Sequence, residues 1–151
     1  MPGCYADAAA VLRGEFASLP TSECVSDSEG NGSARKVYRV GDVVYKVEGN
    51  REYDNETEYE ILSDHAEYDW APPVSLFAVD GKTILCMPYY EHDEYADASR
   101  TRIIEIEDIL EIWHVDHGNT CPSPDIHSGN YRIIGPEQVM VIDAAGNFNM
   151  H

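Results

Sequence analysis

Apolar and polar residues alternate with period two in KVYRV and VVYKV, residues 36–40 and 43–47, and only Gly41 and Asp42 separate the two runs. That is the pattern of a β-hairpin, with one face toward a core and the other toward solvent or a covering element. A second hairpin is expected in APPVSLFAVDGKTILCMPYY, residues 71–90, where an Asp-Gly turn divides two β-rich runs and Pro88 stops the second. Helical spacing marks three other stretches. Residues 5–18 are Ala-rich, and residues 51–64 are polar but place Ile61 and Leu62 on a common face. RIIEIEDILEIWHVDHG, residues 102–118, sets Ile103, Ile106, Leu110 and Trp113 on one stripe, with Gly118 as its stop and Pro122 and Pro124 barring continuation. SDSEGNGSAR, residues 26–35, and HDEYADASR, residues 92–100, read as polar connections.

The last element carries the first chemistry. YRII and VMVI flank GPEQ, so residues 131–134 and 139–142 are expected to pair antiparallel across a four-residue turn. Paired numbers then sum to 273, which sets Asn130 and Asp143 face to face where the strands open. An amide oxygen beside a carboxylate suits a hard cation, most naturally Mg²⁺. Asp125, five residues before Asn130, is close enough in the chain to accept a proton from a nucleophile. Asn and Asp also commonly terminate strands without binding anything.

Composition narrows the ligands. The 151-residue chain has 28 acidic and 10 basic residues, a formal charge of −18, which argues against nucleic-acid backbones and anionic membranes as partners. Its length fits one domain. Only Lys36, Lys46 and Lys82 are lysines. Lys46 shares a strand face with Val44, so its stem lies on apolar surface and its ammonium needs a partner. Glu58, three and four residues before Ile61 and Leu62, is that partner, whereas Glu56 and Glu60 point elsewhere. GNGSARKV, residues 30–37, offers backbone N–H groups that could cover phosphates. Four cysteines with no CxxC, no basic leader and no bilayer-length apolar run together suggest a soluble intracellular protein with reduced thiols.

Taken in order, these parts resemble the protein kinase-like superfamily. GNGSARKV is similar to the GxGxxGxV loop, with Arg35 where the third Gly would stand; VVYK resembles VAIK; DIHSGN, residues 125–130, resembles HRDLxxxN; and IDAAG places Asp143 where DFG has its Asp. The resemblance covers about residues 22–146. It implies an α+β fold: an N-lobe of antiparallel sheet plus helix over about 22–90, and a truncated C-lobe over 91–151, within one domain. It also implies ATP and Mg²⁺ as cofactors, with Gly30, Gly32 and Val37 over the nucleotide, Lys46 on its phosphates and Glu58 paired to Lys46. Met87 and Tyr89 would hold adenine, Asn130 and Asp143 would hold Mg²⁺, and Asp125 would be the catalytic base. The activity implied is γ-phosphoryl transfer to a hydroxyl acceptor on a protein or small molecule. Departures are plain: Ser123 and Pro124 replace the His and Arg of HRD, Ala144 replaces Phe, and no activation segment follows. A homodimer or a partner chain would then complete the C-lobe, and the design suggests a bacteriophage or viral origin and a host cytoplasm.

Two other classes stand beside this one: a pseudokinase-like module that binds nucleotide or partner without turnover, and an acidic decoy for a basic surface. His114, His117, Cys121 and His127 cluster in sequence as well, though their spacing matches no familiar structural zinc motif.

Overall fold

The computed structural model describes residues 2–16, 35–49, 53–118 and 131–144. Strands β1 (Lys36–Val40), β2 (Val43–Val47), β3 (Ser75–Val79) and β4 (Lys82–Pro88) form one antiparallel sheet in the order β1-β2-β4-β3. With helices α1 (Tyr5–Leu12), α2 (Asp54–Asp64) and α3 (Arg100–Asp116), this is a mixed architecture consistent with the expected α+β class. Both hairpins close over two residues: Val40 pairs with Val43 around Gly41 and Asp42, and Val79 pairs with Lys82 around Asp80 and Gly81. Asp80 and Gly81 both take positive φ, 49° and 82°, which matches the right-handed twist of the strands they join.

Period-two alternation gives the sheet two faces with different covers. Val37, Val44, Leu85 and Met87 face the larger core, which also takes Ile61 and Leu62 from α2, Trp70, and Ile106, Leu110 and Trp113 from α3. Tyr45, Val47, Ile84 and Cys86 face the other way and pack under Ala8 and Val11 of α1. The chain leading into α1 joins this back face: Ser75 Oγ donates to the Pro2 carbonyl at 2.8 Å. A Cβ at Gly3 would meet Cys86 Sγ at 2.9 Å, so that approach needs glycine. Helix α1 is shorter than residues 5–18. Arg13 caps it and Gly14, at φ +80°, turns the chain away in a conformation that cannot continue a helix.

Helix α3 carries the expected stripe. Ile106, Leu110 and Trp113 are buried, and Ile103 packs against the same core. At its start Ser99 Oγ accepts from Arg102 N–H at 3.1 Å, and Gly118 follows its end.

Strands β5 (Tyr131–Gly135) and β6 (Gln138–Val141) form the closing hairpin, and here the expected register is corrected. Tyr131 pairs with Val141, Arg132 with Met140 and Ile133 with Val139, so the numbers sum to 272, not 273. A bulge between Ile133 and Gly135 absorbs one residue, and the turn shrinks to Pro136 and Glu137 between Gly135 and Gln138. Glu137 takes φ of 58°, costly for a residue with a side chain. The cost is offset by tertiary bonds: its carboxylate accepts from Ser99 N and Oγ at 3.0–3.1 Å, and its N–H donates to Asp97 O at 3.1 Å. Asn130 lies outside the described residues, so the pairing on which the cation clamp was expected is not the one formed by the strands leading to it.

No helix among the described residues is long and apolar enough to cross a membrane.

Candidate functional site: a buried ion network at the sheet face

Lys46 points from β2 into the front core, opposite Val37 on one side and Leu85 on the other, and is 1% exposed. An ammonium in that position is stable only if it is matched by charge and hydrogen bonds. Glu58, fully buried on α2, supplies the charge: Lys46 Nζ lies 3.1 Å from Oε1 and 3.3 Å from Oε2. The same ammonium donates to the Ile142 carbonyl at 2.5 Å, which ties it to the backbone just before Asp143. Strand β2, helix α2 and the end of β6 therefore meet at one nitrogen. Glu56 and Glu60 are exposed, as their helix positions imply.

Arg35, immediately before β1, enters the same pocket. Its guanidinium lies 2.7 Å from Glu58 Oε1, 2.9 Å from Asn55 Oδ1 and 3.0 Å from Asp143 Oδ1. Asp143 is itself buried, and Ala144 N–H donates to Glu58 Oε2 at 2.7 Å. Two cations thus face two carboxylates with little water around them. Asn55 fixes the floor of the site: its Nδ2 donates to Lys46 O at 2.9 Å and to Thr83 O at 3.0 Å.

The electrostatics follow from this packing. Burial alone would push the Glu58 carboxyl up; Lys46, then Arg35, and the Ala144 N–H together outweigh it and hold Glu58 below the usual carboxylate range. Glu58 is an anion at neutral pH for that reason. Cations and acids alternate through the network, Lys46 on Glu58, Glu58 on Arg35 and Arg35 on Asp143, an arrangement of preorganised charge that could meet a charged group.

Of the residues expected at the site, the structure brings together Lys46, Glu58 and Asp143, with Val37 packed on the same sheet face. Met87, 1% exposed in β4, also faces that core. Tyr89 does not present a free donor: its N–H is engaged by Asp42 O at 2.8 Å, and Arg39 stacks 3.8 Å from its ring centre. Gly30, Gly32, Asp125 and Asn130 lie outside the described residues. Sequence reasoning placed Arg35 only as a substituted glycine and passed over Asn55. Neither belongs to a periodic pattern; the available signal was a basic residue adjoining an apolar strand in a chain that has few.

Asp143 suits Mg²⁺ by chemistry, being a hard oxygen donor that already faces a cation, but that cation is the Arg35 guanidinium. A metal on Asp143 Oδ1 would therefore displace the Arg35 guanidinium from that oxygen. A separate surface cleft, lined in part by Lys36, Tyr38, Glu48 and Lys82, opens on the opposite side of the sheet and shares nothing with this network.

Compared with protein-family models the chain matches none, and compared with curated proteins it matches none.

Proposed function

We propose that the protein is a minimal kinase-like nucleotide-binding phosphotransferase, with ATP and Mg²⁺ at the network of Lys46, Glu58 and Asp143 and a hydroxyl group as acceptor. The observation that carries this reading is the buried Lys46–Glu58 pair at 3.1 Å, with Lys46 also bonded to the carbonyl next to Asp143. A hydrophobic filling would stabilise a core at least as well as a buried ion pair. Charges kept at this depth are therefore better explained by a task than by stability. Lys46 would neutralise phosphate charge, Glu58 would hold the Lys46 stem in place, and Asp143 would hold the metal, joined by Asn130. Bound Mg²⁺ would supply charge neutralisation across the phosphates. Asp125 would orient the acceptor hydroxyl. Arg35, now shared between Glu58 and Asp143, would transfer its guanidinium from Asp143 to the phosphates.

Arg35 also favours a second reading. While its guanidinium occupies Asp143 Oδ1, the network is electrically complete without a metal, as in a pseudokinase-like module that binds nucleotide or a partner without turnover.

Thermal shift with ATP, with and without Mg²⁺, combined with transfer of a labelled γ-phosphoryl group, separates these outcomes. Stabilisation that needs both ligands and is lost in Lys46→Met and Asp143→Asn, together with label transfer, supports the phosphotransferase. Stabilisation indifferent to Mg²⁺ and unaccompanied by transfer supports the binding module. No response to nucleotide in a folded wild-type chain removes the phosphotransferase and the nucleotide-binding module, and leaves only a partner-binding one.

A further inference from the structure

We propose a second site, for a divalent transition cation of the zinc type, where α2 meets the end of α3. Glu60 and Asp64 stand one helical turn apart on α2, and His117 caps α3. Their candidate donor atoms lie within 4.8 Å of one another, with His117 Nε2 3.4 Å from Glu60 Oε1.

Three features make this more than a meeting of surface charges. First, His117 Nδ1 lies 2.7 Å from the Trp113 carbonyl, which can only accept, so Nδ1 is the donor there and Nε2 is the ring nitrogen turned toward the carboxylates, where a cation would take the place of any proton on it. Second, the ring is held in place, stacked on Trp113 with centres 3.8 Å apart and planes 18° apart. Third, Trp113 Nε1 donates to Asp64 Oδ2 at 2.8 Å, which orients that carboxylate. One tryptophan thus positions two of the three donors, as outer-shell partners do around bound metals. Two carboxylates four residues apart on a helix repel each other, and a cation between them removes that penalty.

The donor set selects the ion. One imidazole with two carboxylates suits zinc and its neighbours, whereas Mg²⁺ and Ca²⁺ prefer oxygen alone. Three protein donors on an exposed surface leave a coordination position for water. The set differs from the His114, His117, Cys121 and His127 cluster seen in sequence. His114 faces the core, where burial and the nearby His117 and His65 hold its imidazole down to about 4, and Cys121 and His127 lie outside the described residues. A cation here ties α2 to α3 two residues from Glu58, so it steadies the helix that supplies the buried acid.

The test is calorimetric titration of the full chain with ZnCl₂ in a non-chelating buffer, paired with thermal unfolding. One zinc per chain is expected, with a zinc-dependent rise in Tm that excess MgCl₂ does not reproduce. Glu60→Gln and His117→Gln, both at exposed positions, should each weaken zinc binding by about tenfold or more and remove the Tm rise. Zinc affinity that survives in either variant overturns the site, and so does the absence of binding to the wild-type chain at millimolar zinc.

Discussion

Adjacent residues of one strand, Tyr45 and Lys46, enter two different interiors. On the back of the sheet Tyr45 packs with Val47, Ile84 and Cys86 under α1, and burial first of all pushes its hydroxyl and the Cys86 thiol up to about 12. These groups stay neutral and act as apolar filling. On the front Lys46 is buried as deeply, yet it pairs with Glu58, which Arg35 links in turn to Asp143, and the Glu58 carboxyl is held below the usual carboxylate range. The lesson is that burial does not decide ionisation alone. Desolvation pushes a group with no opposite charge nearby further toward its neutral form, whereas one inside a matched set is held charged.

Removing one member of the matched set should have the largest effect. Glu58→Gln leaves Lys46 without the Glu58 carboxylate and Arg35 with that of Asp143, and a loss of roughly 3–5 kcal/mol in denaturant unfolding is expected. Lys46→Met should cost less, because Glu58 keeps Arg35; equal losses would break the view that Glu58 is the hub. On the back face Ile84→Ala should cost roughly 2–4 kcal/mol by cavity formation, with no dependence on salt or pH near neutrality.

His114 gives a pH-dependent contrast within the front core. Burial first, then His117 and His65, lower it from 6.5 to about 4, so the unfolded chain binds a proton that the folded chain refuses. Its contribution is full above about 6.5 and is lost as pH falls toward 4, up to roughly 3 kcal/mol. Glu58, also depressed, adds a loss at still lower pH, as its carboxylate protonates. Denaturant melts from pH 7 to 4 should therefore fall in the wild type and flatten in His114→Phe above the carboxylate range. The smallest effect belongs to Tyr45→Phe. Its hydroxyl lies 3.4 Å from Asp7 Oδ2, and its loss should change stability by at most about 1 kcal/mol.

Much of this contrast was legible along the chain. Period-two alternation separated Lys46 from Tyr45, and helical spacing put Glu58 on the face of Ile61 and Leu62 while sending Glu56 and Glu60 outward. The Asp-Gly and Gly-Asp turns located both hairpins of the sheet because their φ demands are local. Counting failed at the last hairpin. GPEQ reads as four turn residues, but Ser99 and Asp97 hold Glu137 in a left-handed conformation, and the strands bulge and slip by one. A register shift of one residue reverses every side chain, so an expectation resting on Asn130 facing Asp143 was sensitive to a contact from the start of α3.

Local sequence determined what local physics governs: where strands and helices form, which turns close them, and which side chains share a face, since backbone sterics and hydrophobic periodicity act over a few residues. Only the tertiary structure decided that Arg35 reaches Asp143, 108 residues away, and that Glu60 and Asp64 meet His117. Those encounters depend on how separate elements pack, and no periodicity within either partner encodes them.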